Sequence, residues 1–204
     1  MTLFSPLNIA FKLCGDKVSG REMVGYLRQH PGELHAGLVT ITEVVKDYAR
    51  ACLNAGAPGI FFATQMATSD LMTPGEFHEF GRAYDLQVLD VLAGRSQITM
   101  LHICGRNLFF DLLADYPVDI INWAAHTSGM SLAVARQMTD KPLAGGLALA
   151  TLLEGAQQDV WTEARSAIEA SGGRAFLLAP DCVIRGPSPD ANLAAARRAV
   201  LEAG

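Results

Sequence analysis

An α/β fold with parallel strands is what this sequence predicts, on three observations. Five short apolar runs read as strands buried on both faces: Gly59–Ala63, Ile98–Leu101, Val118–Asn122, Pro142–Gly145 and Ala175–Leu178. Amphipathic segments of helical period lie between them. The ends of those segments carry the residues that start and stop helices.

In chain order, residues 1–55 read as helical with no clear strand, and Ser5-Pro6 opens a first short helix. A longer amphipathic segment runs from about Leu34 to Asn54 and is closed by Gly56. After the first strand, Thr73-Pro74 sets an N-cap before a proline at the first helical position. Glu76 follows in the first turn, and the segment continues to Leu92. Helical stretches over Asn107–Asp115 and Leu132–Met138 follow the second and third strands. Asp159–Ala170 follows the fourth, ended by Gly172-Gly173, and Ser188-Pro189-Asp190 opens a last helix to Glu202.

Strands separated by helices imply βαβ units and a parallel sheet. No strand is followed by a G-x-G-x-x-G turn, so a dinucleotide-binding sheet has no support. The remaining parallel architecture is a (β/α) barrel, and here the count falls short. Five strands are legible where closure needs eight, and such barrels typically need ~250 residues against the 204 present. With no repeat, linker or low-complexity tract, residues 1–204 read as a single partial TIM-barrel domain.

Composition narrows the function. Half of the residues are hydrophobic, and 16 Lys+Arg against 21 Asp+Glu give a net charge of −5. That excludes a disordered chain and disfavours a nucleic-acid partner. The longest uncharged, mostly apolar stretch, Pro142–Leu153, is too short to span a bilayer, so no membrane partner is expected. The opening Met1–Pro6 has no basic region of the kind that starts a signal peptide. Four cysteines, Cys14, Cys52, Cys104 and Cys182, do not make a disulfide scaffold, and a cytoplasmic protein with reduced thiols is expected.

The chemistry concentrates at strand ends. His102 and Cys104 stand two residues apart at the end of the second strand and so share a face. Cys182 follows the last strand, at what would be the same carboxyl edge of a parallel sheet, where active sites lie. One imidazole and two thiolates suit Zn²⁺, and three protein ligands leave a position open. The pattern is also compatible with a chance H-x-C and cysteines that serve as small apolar residues. Cys14 and Cys52 read as packing residues, and His30 and His78 as surface or satisfied histidines. His126, just past the third strand, is open between a fourth ligand, a substrate contact and a loop histidine. Thr64, Gln65 and Asp70 would line the same mouth. Gly145-Gly146, lacking Cβ atoms, would let a ligand approach the backbone. Gln65, His126 and Gly146 are the substrate-binding candidates.

Several segments together resemble the uroporphyrinogen decarboxylase family, which includes cobalamin-dependent methyltransferases. They are His102-Ile103-Cys104-Gly105, the approach Ala55–Ile60 to the first strand, Ala179–Ile184, and Pro187–Leu193. Phe4–Ala10 resembles a segment lying well inside family members, so the likeness covers the whole chain but only the latter part of the family's (β/α)8 barrel. The resemblance implies that His102, Cys104 and Cys182 are zinc ligands and catalytic residues. It implies a small thiol as substrate and a corrinoid as methyl donor, carried by a partner protein because no D-x-H-x-x-G segment is present here. In the decarboxylase branch a His stands where Cys182 is, and an Arg-rich motif grips the porphyrinogen. Arg21 and Arg28 lie in an unrelated helical segment, and only Arg106, Arg185 and few others would serve on this face. A porphyrinogen decarboxylase and a truncated, non-catalytic member are the alternatives. An open barrel would leave unpaired sheet edges, which favours a homo-oligomer.

Overall fold

The computed structural model describes residues 1–14, 20–184, 186 and 188–203. They fall into two compact units, Met1–Asp119 and Ile120–Gly204. The first unit contains β1 (Thr2–Phe4), α1 (Pro6–Leu13), α2 (Gly20–Gln29), α3 (Pro31–Asn54), β2 (Gly59–Thr64), α4 (Pro74–Phe77), a π-helical turn (His78–Arg82), α5 (Ala83–Leu92), β3 (Ile98–Ile103) and α6 (Phe110–Leu113). The second contains β4 (Ile120–Trp123), α7 (Leu132–Met138), β5 (Leu143–Leu147), α8 (Leu149–Glu154), α9 (Gln157–Ala170), β6 (Phe176–Pro180) and α10 (Asp190–Leu201).

Within each unit three strands pair in parallel and in chain order, β1-β2-β3 and β4-β5-β6. The five strands legible in the sequence are all present, and the difference is β1. It is only three residues long, and its one buried side chain, Leu3, leaves no alternation to read. Pairing defines it, with Leu3 opposite Phe62 and the Ser5 amide donating to the Ala63 carbonyl at 2.9 Å.

Helix punctuation follows the sequence closely. Ser5 caps α1 with Pro6 at its first position, and Thr73 and Glu76 form a reciprocal capping box on α4. Gly56 and Gly172 both take positive φ just past the ends of α3 and α9. Several details differ: the helix read over Asn107–Asp115 forms only at Phe110–Leu113, α8 has no counterpart in the sequence reading, and three more concern caps, the π turn and Cys14. Pro189, not Ser188, is the N-cap of α10, and no side chain caps that helix. The helical run from Pro74 is not uniform but passes through the π turn, where a Cβ on Gly81 would lie 2.5 Å from the Phe77 ring. Cys14 is exposed just past the end of α1 rather than buried, although its thiol lies 3.7 Å from the sulfur of the buried Met23.

The core of the first unit is the face carrying Ile60, Phe62, Leu101 and Ile103, all at most 2% exposed. In the second unit Leu147, Leu152, Val160, Ala164 and, from α10, Ala195, Ala196 and Ala199 form a continuous cluster. No described helix is long and apolar enough to cross a membrane.

Candidate metal centre

In the first unit the β2–β3 ladder fixes the H-x-C pair. Ala63 lies opposite His102 and Thr64 opposite Ile103, and the Cys104 amide donates to the Thr64 carbonyl at 2.9 Å. The ladder thus runs one step past β3, and strand alternation carries Cys104 onto the face of His102. His102 is 5% exposed and its ring stacks on Phe61 with centroids 5.2 Å apart, which limits its orientation. Gly105, with φ +132°, makes the turn that ends the strand immediately after the thiol.

In the second unit Cys182 is half-buried, two residues past β6. The chain before it is tied firmly. The Asp181 amide donates to the Leu147 carbonyl at 2.9 Å, and Asn122, at the end of β4, donates to the carbonyls of Ala144 and Pro180. The Asp181 carboxylate is buried and accepts from the His126 backbone N–H, while His126 Nδ1 lies 3.2 Å from Asp181 Oδ2. This contact holds the His126 pKa above the usual imidazole value. Burial opposes the shift, and the charges of Asp181 and Glu163 add to it.

His126 is therefore held by an acid on the same unit. Glu163 on α9 is a residue the sequence did not single out. It accepts from the Ala148 amide at 2.6 Å and the Thr151 hydroxyl at 2.7 Å, and lies 3.9 Å from His126 Nε2. No motif marks it, because its partners are set by the packing of α9 on the β5 turn.

Of the substrate-binding candidates, His126 and Gly146 line the same cleft of the second unit, about 240 Å³, together with Ser131, Leu132 and Glu163. Gly146 lies inside β5 rather than after it, with φ +95°, and a Cβ there would meet the Ala167 Cβ at 2.4 Å. Its missing side chain makes room for α9. Gln65 is half-buried just beyond β2 in the first unit. The Thr64 hydroxyl is buried without a hydrogen-bond partner, and Asp70 is exposed and bound by Asn107. Arg106 is exposed, whereas Arg185 and Pro187 lie outside the described residues. His30 and His78 are exposed, as expected, and no disulfide joins the four cysteines.

Comparison with known proteins identifies the lineage. A model of the uroporphyrinogen decarboxylase (URO-D) family matches residues 1–203. The chain belongs to that family. Among curated members it is 28% identical over 186 residues to the methylcobamide:CoM methyltransferase MtaA of Methanosarcina barkeri, covering 90% of this chain and 53% of that protein. A solved methyltransferase from Methanosarcina mazei superposes with a TM-score of 0.82 at 27% identity, over 98% of this chain and 57% of that one. A B12-independent methionine synthase from Shewanella sp. W3-18-1 shares the fold at 16% identity, with a TM-score of 0.57. The chain thus spans about half the length of the relatives it matches, and an α/β barrel in part accounts for the strand count.

Proposed function

We propose that this chain serves methyl transfer to a thiol, as a zinc-dependent methyltransferase of the uroporphyrinogen decarboxylase family. His102, Cys104 and Cys182 would hold the metal. The observation that carries the reading is the donor set: one imidazole and two thiols, a combination suited to zinc, each at or just beyond the carboxyl end of a parallel strand. The likeness to methyltransferases over nearly the whole chain supports it.

Bound zinc supplies Lewis acidity, which keeps a coordinated thiol ionised at neutral pH. The protein's own part is orientation. The Phe61 ring would limit the orientation of His102, and the ladder bond from the Cys104 amide would hold the backbone that carries its sulfur. Asp181 anchors the segment bearing Cys182 through His126 and the Leu147 carbonyl. Three protein ligands leave one position for a small thiol substrate. The methyl group would come from a corrinoid carried by a partner protein.

Purified protein is expected to contain about one zinc per chain, lost in Cys104→Ser and in Cys182→Ser. A full zinc complement in Cys182→Ser would remove the methyltransferase reading. Decarboxylation of a porphyrinogen by metal-free protein would replace it.

A further inference from the structure

The loops after β2 and β3 are sewn together around the turn that follows Cys104. Ala67–Ser69 and Asn107–Phe109 run antiparallel, bridged at Thr68 and Leu108. The Ser69 amide donates to the Asn107 carbonyl and the Phe109 amide to the Ala67 carbonyl, both at 3.0 Å. Side chains reinforce this short ladder. The Thr68 hydroxyl donates to the Arg106 carbonyl and accepts from the Asp70 amide, and Asn107 Nδ2 donates to Asp70 Oδ1 at 2.7 Å. Asn107 takes φ +46°, a conformation that asparagine tolerates better than most residues.

We infer that Thr68, Asn107 and Asp70 are positioning residues for Cys104, splinting its turn so that the thiol is pre-aimed before any ligand arrives. Cys104 is held on both sides. Before it, its own amide bonds to Thr64; after it, Gly105 separates it from an Arg106 carbonyl clamped by Thr68. Only Gly105 lies between Cys104 and the clamped carbonyl, and a glycine at φ +132° does not hold a turn by itself, so the turn beside the thiol depends on the flanking bonds and loosens when the clamp is lost. Thr68 is 5% exposed, and replacing it by valine keeps its shape while leaving the Arg106 carbonyl without that donor. Asn107 and Asp70 are exposed and close no core, which is a reason to assign their bond to the turn rather than to global stability.

The inference rests on the proposed metal site, and the test separates the two. Zinc(II) affinity by chelator competition and the cobalt(II)–thiolate absorption band are measured for the wild type, Thr68→Val, Thr68→Ser and Asp70→Ala. Thr68→Val is expected to lower zinc affinity by up to ~10-fold, the low end of the loss seen when a ligand's own hydrogen-bond partner is removed, because Thr68 acts two residues from Cys104, and to weaken the cobalt band. Thr68→Ser, which keeps the hydroxyl, is expected to restore both, and Asp70→Ala to show a smaller loss in the direction of valine. Folded Thr68→Val with wild-type affinity and spectrum would overturn the inference. Wild type that binds no zinc would instead refute the proposed function. In that case iodoacetamide labelling of metal-free protein, read peptide by peptide, decides the inference. Thr68→Val is expected to change the Cys104 rate several-fold and leave Cys14, Cys52 and Cys182 unchanged, and an unchanged Cys104 rate overturns it.

Discussion

Asp85 gives the sharpest prediction about stability. It is completely buried on α5, where Tyr116 donates to its Oδ2 at 3.0 Å and Oδ1 has no hydrogen-bond partner. Burial pushes its carboxyl up to about 7, against the opposing pull of the Tyr116 hydrogen bond and of the Arg82 charge. The Tyr116 phenol is raised for the same first reason. The folded protein therefore keeps a proton that the unfolded chain releases near pH 4. Stability from this group is fully present below the unfolded value and declines as pH rises toward 7, beyond which it is flat. A displacement from 3.8 to about 7 corresponds to a loss of up to ~4 kcal/mol across that window. Asp85→Asn is isosteric and does not titrate, so its stability relative to wild type is expected to rise by ~2–4 kcal/mol between pH 4 and pH 8. Urea unfolding at a series of pH values measures the difference, which cancels titrations shared by both proteins. A wild-type-minus-variant difference that stays constant with pH would refute the reasoning.

Two further outcomes are expected. Thr73→Ala removes the hydroxyl that accepts the Glu76 amide at 3.2 Å and one half of the capping box, at a cost of ~1 kcal/mol in a urea titration, and no change would mean the box is dispensable. Gly146→Ala would drive a methyl into Ala167 at 2.4 Å and impose a side chain on φ +95°, with a loss of ~1–3 kcal/mol that thermal unfolding would detect.

The parallel α/β class was legible because it rests on local information. Gly59–Thr64 and Ile98–Ile103 are apolar runs bounded by glycine, proline and serine, and Thr73-Pro74 with Glu76 is a helix start wherever it occurs. His102 and Cys104 were legible as a pair for the same reason, since a strand places residues two apart on one face. The Thr2–Phe4 strand was not, because three residues carry no period and only the partner strand makes them β. Glu163 escaped notice because its partners, Ala148, Thr151 and His126, are unrelated to it in sequence.

What the amino-acid order determined by itself was thus five of the six described strands, most of the helix starts and stops, and the strand ends on which His102, Cys104 and Cys182 sit, all consequences of local sequence and backbone periodicity. The tertiary structure alone decided which acid restrains His126, why Gly146 has no side chain, and that the loop of Thr68 braces the turn behind Cys104. Those are contacts between segments distant in the chain, and hydrogen-bond geometry and close packing appear only when the segments are folded together.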